Sequence, residues 1–155
     1  MPMDLSKLHQ VLNWPKEGKV KDLQRLFNDS PQMKSVAAQV DLSDLNSPAV
    51  LIPEVLPLHL GGLGTTAVNG GIISMLVDLA IGLLGVNYYH EGPTATQHLS
   101  IHFVKPLVAT SVRLEAKETQ VIGNRVYGQV HVMNEKGEVC AFANGVLAKA
   151  IKKPA

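Results

Sequence analysis

The stretch that decides the fold is Asn69-Gly70-Gly71-Ile72-Ile73-Ser74-Met75-Leu76-Val77-Asp78-Leu79-Ala80-Ile81-Gly82-Leu83-Leu84-Gly85-Val86. It is an almost unbroken apolar run with one carboxylate at its centre. A helix apolar on most sides is normally buried, and an aspartate is almost never buried without a partner. An isolated buried carboxylate costs several kcal/mol or takes up a proton, so Asp78 reads as a catalytic or binding group. Asn69-Gly70-Gly71 adds a capping side chain and two glycines at the start of the same helix. Free N–H groups there are suited to an anionic oxygen.

Outward from that helix, the chain changes period. Upstream, Leu5–Asn13 and Val20–Asn28 carry apolar residues at helical spacing; Pro15 ends the first and Asp29-Ser30-Pro31 the second. Val36–Val40 and Ala49–Val55 read as short strands on either side of the turn-rich Ser43–Pro48. A glycine-rich loop, Leu60–Thr66, leads into the long helix. Downstream, Leu99, Ile101 and Phe103 alternate with His98, Ser100 and His102 up to Pro106, as in a half-buried strand. Val112–Val121 and Val126–Met133 form a hairpin about Gly123-Asn124, and Val139–Ala150 is the last strand. The expected order is helices, two strands, one buried helix, then four strands. That is an α+β solution in which an antiparallel sheet wraps a single apolar helix.

Composition sets the outer bounds. The 155 residues suit one globular domain, residues 1–155, with 1–32 as an N-terminal helical extension. Net charge is +1 with 17% charged residues, which favours neither nucleic acid nor an anionic membrane as partner. The apolar run, at about 15 residues, is shorter than the ~20 of a bilayer span. Met1–Lys7 shows no basic segment followed by an apolar stretch, and Cys140 is the single cysteine, so a reducing cytoplasm is the expected location. No paired Cys/His spacing or phosphate loop points to a metal or cofactor, and none is expected. His98 and His102 share a strand face about 13 Å apart, too far for one ion. Cys140 reads as a core thiol.

Taken together, Asn69-Gly70-Gly71, seven residues to Asp78, then Thr96 and the strand end Phe103-Val104-Lys105-Pro106 resemble the hotdog-fold acyl-CoA thioesterases, in particular the branch typified by phenylacetate-degradation thioesterases. The resemblance covers residues 36–149. It implies a hotdog fold and hydrolysis of acyl-CoA thioesters, with Asp78 as general base or nucleophile and Gly71 as oxyanion donor. It assigns Asn69 as polariser, Thr96 as auxiliary hydroxyl, and Gly70 as a neighbouring donor. By the same resemblance Lys105 and Arg125 would contact the CoA phosphates. This chain has Asn69 where the family has His, and Leu63 where it often has Asn. An amide can cap a helix and donate to a carbonyl but cannot transfer a proton, which disfavours a dehydratase or isomerase. The alternative is a non-catalytic acyl-CoA-binding or regulatory module.

Spacing alone also predicts assembly. Gly71 and Asp78 are about 10 Å apart along one helix axis. A water on Asp78 must reach a carbon whose oxygen lies ~3 Å from the N–H donor. Two antiparallel copies meet that requirement, so a homodimer with shared sites is expected, with a dimer of dimers as its extension.

Overall fold

The computed structural model describes residues 3–151; residues 1, 2 and 152–155, the ends of the expected domain, lie outside it. Three helices come first: α1 (Leu5–Asn13), α2 (Val20–Asn28) and α3 (Pro31–Ser35). The first two match the sequence-based bounds. The third was not expected: Asp29-Ser30-Pro31 ends α2 and at once starts a new helix. The Ser30 side chain accepts from the Met33 N–H at 3.3 Å, and Pro31 at the first helical position loses no bond there.

Two short strands follow, β1 (Gln39–Asp41) and β2 (Ala49–Ile52). The first starts three residues later than expected and ends one later, and the second stops three residues short. Ala37, at φ 47°, turns the chain before β1, and Pro53, with no N–H, follows the end of β2. After a 3-10 turn over Pro57–His59 comes α4 (Gly70–Leu83), which continues as a 3-10 segment, Leu84–Glu91. The continuous helical stretch Gly70–Glu91 is 22 residues at a hydropathy of 1.7, longer than the sequence reading allowed and apolar enough to cross a bilayer by length and composition. Here it is the core helix, packed across β2 to β6.

The remaining strands are β3 (Ala95–Phe103), β4 (Val112–Ile122), β5 (Arg125–Asn134) and β6 (Val139–Ala148). All pairings are antiparallel, in the order β1-β2-β4-β5-β6-β3. The β4–β5 hairpin closes through Gly123-Asn124, with Gly123 at φ 58°. One face of the sheet takes Ile73, Leu76, Val77, Ala80, Ile81 and Leu84 of the helical stretch into a single core. A cross-strand glycine pair, Gly128 opposite Gly145, makes this approach possible. A Cβ on Gly128 would lie 2.3 Å from the Leu84 side chain, and one on Gly145 2.8 Å from Ile81.

The sheet leaves one long edge open. β3 is terminal, pairs only with β6, and its residues 95–98 are exposed.

Candidate active site

The site is built on the N-terminus of α4. Asn69 is the N-cap in an extended conformation (φ −60°, ψ 133°), and its Oδ1 accepts from the Gly71 N–H at 2.7 Å. This is ordinary capping, in which an Asx side chain takes the N–H at the second or third helical position. It engages the N–H that the resemblance assigned to the carbonyl oxygen. The Gly71 N–H is already occupied, whereas among the described residues no acceptor serves the Gly70 N–H. Gly70 therefore carries an open donor, at the positive end of the helix dipole. With Oδ1 committed to the cap, the Asn69 Nδ2 group remains as a second donor beside it.

The strand end Phe103–Pro106 braces this helix start. Val104 and Lys105 N–H groups both donate to the Cys140 C=O, at 2.9 and 3.1 Å. Pro106 then ends the pairing, and the Leu107 C=O accepts from the Val68 N–H at 2.9 Å, one residue before the cap. The Phe103 ring lies over Gly70, 3.6 Å from where a Cβ would stand. Phe103 is thus a site neighbour that the sequence reading had used only as a strand marker; its contact across 33 positions carries no local signal.

Asp78 departs from expectation. It is exposed on this chain rather than buried, on a stripe with exposed Gly71 and half-buried Ser74, Met75 and Gly82. The helix buries its other sides against the sheet and leaves this one open. The desolvation argument made from the sequence therefore does not hold within a single chain.

Thr96 reaches the helix side of the sheet by an irregularity. His98 pairs with Val146 and Thr96 with Leu147, so Gln97 is an extra residue in the ladder. Unbroken alternation from His98 would turn Thr96 outward. The bulge instead sets it opposite buried Leu147, on the face shared with Leu99, Ile101 and Phe103. His98 and His102 occupy the outer face, and His102 stacks on Phe142 with ring centroids 4.8 Å apart.

The two cations do not come together in one chain. Arg125 opposite Ala148, itself opposite Ala95, marks one end of the sheet; Lys105 lies beyond Phe103 at the other, about 30 Å away at ~3.3 Å per residue. Lys105 is also paired with Glu138. That hydrogen bond raises the Lys105 pKa and holds the Glu138 carboxyl below its ordinary range. Arg125 is half-buried and donates to Asn124 Oδ1 at 3.2 Å. Among the described residues no group of three His, Cys, Asp or Glu side chains is placed to hold a metal.

The family model of the thioesterase superfamily matches residues 66–141, from the loop before α4 into β6. The chain has the hotdog fold, and its central part matches the thioesterase superfamily. Among curated proteins no sequence match is found. Similar solved structures include a thioesterase of Haemophilus influenzae, 14% identical with a TM-score of 0.71, covering 83% of this chain and 87% of that one. The Escherichia coli PaaI protein of the phenylacetic acid degradation operon is also 14% identical with a TM-score of 0.71, and covers 94% and 98%. A mutant of the Thermus thermophilus phenylacetic acid degradation protein PaaI is 24% identical, with a TM-score of 0.66 over 78% and 100%. At such identities these likenesses establish the fold. The match to the thioesterase superfamily over residues 66–141 supports thioester hydrolysis as the general reaction class.

Proposed function

We propose that this hotdog protein hydrolyses acyl-CoA thioesters to the free acid and CoA, at two equivalent sites shared between the chains of a homodimer. The observation that carries this reading is the open Gly70 N–H on one helix together with an exposed Asp78 further along the same helix. Eight residues separate them, about 12 Å along the axis, too far to serve one carbonyl. A two-fold partner with its helix antiparallel brings Asp78 of one chain to Gly70 of the other. The open edge of β3 and the exposed stripe of α4 support the same arrangement, because a long unpaired edge strand is normally covered.

In this reading the Gly70 N–H and the Asn69 amide hold the thioester oxygen, and the helix dipole favours the negative charge that develops on it. Asp78 of the partner takes a proton from water as its oxygen bonds to the carbonyl carbon. The tetrahedral intermediate then collapses, the C–S bond breaks, and the CoA sulfur leaves with the proton returned from Asp78. Direct attack by Asp78 would give an anhydride that water opens, and both routes use the same groups. Thr96, on the helix face of β3, supplies a hydroxyl to orient the water or the carboxylate.

The test is a panel of aryl- and alkyl-CoA thioesters with release of free thiol followed continuously. Turnover of some members is expected. Binding of acyl-CoA without thiol release would favour the non-catalytic module.

A further inference from the structure

His59 is fully buried, at 0% exposure, and is the one buried polar side chain among the described residues. It ends the 3-10 turn ahead of the glycine-rich loop. The Leu56 N–H donates to its Nδ1 at 2.9 Å, and its Nε2 lies 2.6 Å from the Val36 C=O. A backbone N–H can only donate and a carbonyl can only accept. Nδ1 is therefore the lone-pair nitrogen, and the single ring proton sits on Nε2 and is donated to Val36. Both nitrogens are spent on backbone, so the ring is not available to a substrate.

What the ring anchors is the start of the helix. The His59 C=O accepts from the Asn69 N–H at 2.8 Å. Asn69 in turn caps Gly71 and precedes the open donor of Gly70. The intervening loop is glycine-rich and largely exposed, tied at its base by the Leu60–Val68 bridge and a Gly61 N–H bond to the Ala67 C=O at 2.9 Å. The fixed point beneath this loop is the buried imidazole, which fastens one end to Val36 and through its own carbonyl fastens the other to the cap.

We propose that His59 is a positioning residue: its buried neutral imidazole sets the place from which Asn69 and the Gly70 N–H meet the substrate carbonyl. This rests on the thioester-hydrolase reading above. An apolar residue of similar size would fill the volume but leave the Leu56 N–H and Val36 C=O unpaired, and the anchored segment would shift. Displacement of a donor by about 1 Å costs up to ~10²-fold in rate, whereas binding of the rest of the substrate is little affected.

The experiment compares His59→Leu, His59→Asn and His59→Gln, well below their melting temperatures, by acyl-CoA kinetics and by residue-resolved amide exchange. Asparagine can keep the acceptor at Nδ1, and glutamine the donor at Nε2. His59→Leu should lower kcat by roughly tenfold or more with KM within about twofold. Its Asn69 amide should exchange faster while Val77 and Ile81 in the same helix keep their protection. The amide variants should recover part of both losses, and an Asn69→Ala background should shrink the kcat effect. Unchanged kcat per folded molecule, or faster exchange spread evenly over α4, overturns the proposal. If His59→Leu does not fold, the two amide variants decide by the same criteria. If the native protein hydrolyses no acyl-CoA, the thioesterase reading has failed, and selective loosening of Asn69 still decides whether His59 holds the cap.

Discussion

The side chain of Asn69 accepts from the Gly71 N–H at 2.7 Å, while the adjacent Gly70 N–H stays open at the start of the central helix. One capping bond thereby gives two adjacent glycines different states: the Gly71 N–H is engaged by the cap, and the Gly70 N–H is left for the carbonyl oxygen in the proposed mechanism.

Proline provides a direct test of that division. Gly70 is the first helical residue, where a missing N–H costs the helix nothing, and Asn69 already has the extended backbone required before proline. Gly70→Pro should keep the fold and melting temperature while kcat falls by about 10²-fold, the scale of losing one oxyanion donor. Steady-state kinetics with thermal unfolding checks both halves.

Asn69→Asp separates capping from catalysis. Aspartate caps as well as asparagine and suits the helix dipole, so stability should be held within about 0.5 kcal/mol. A carboxylate beside a developing oxyanion repels it and has no proton to donate, so kcat should fall. Asn69→Ala, by contrast, should lose both activity and ~1 kcal/mol of stability. Denaturant melts and kinetics on the two variants distinguish these patterns.

Thr96→Val keeps the shape and the β-propensity of the residue but removes the hydroxyl that the bulge at Gln97 turns toward the helix face. Hydrolysis should drop with little change in stability, and Thr96→Ser should retain most of it. Equal rates in all three proteins would make Thr96 a strand residue only.

Charge distribution predicts unequal roles for the two cations in binding CoA. Lys105 is held by Glu138, whereas Arg125 has no carboxylate partner among the described residues. Arg125→Ala should therefore raise KM for acyl-CoA several-fold with kcat little changed, and the native KM should rise with ionic strength. Lys105→Ala should have the smaller effect. Kinetics at two salt concentrations reads all three.

Much of this architecture was legible in the sequence because it rests on local rules. Period 3.6 and the stops at Pro15 and Asp29 set α1 and α2; period 2 and Gly123-Asn124 set the β4–β5 hairpin. The engagement of the Gly71 N–H was not drawn from the sequence, although Asn69 was read as a cap and an Asx cap takes the second or third N–H. Other features depend on distant partners. The bulge that turns Thr96 is a matter of register with β6, and the separation of Lys105 from Arg125 follows from strand order. The expected burial of Asp78 does not hold on this chain, because the sheet covers other sides of the helix and leaves the stripe Gly71, Ser74, Met75, Asp78 open.

In the proposed dimer each active site takes Gly70 from one chain and Asp78 from the other, and mixed dimers distinguish this from sites within one chain. Asp78→Asn alone should lose ~10²-fold or more of the hydrolysis with its fold intact, and Gly70→Pro should be similarly inactive. Unfolded together and refolded at equal amounts, they should give half heterodimers with one complete site in two, about a quarter of native activity. A refolded mixture no more active than the two variants measured separately would contradict the shared site.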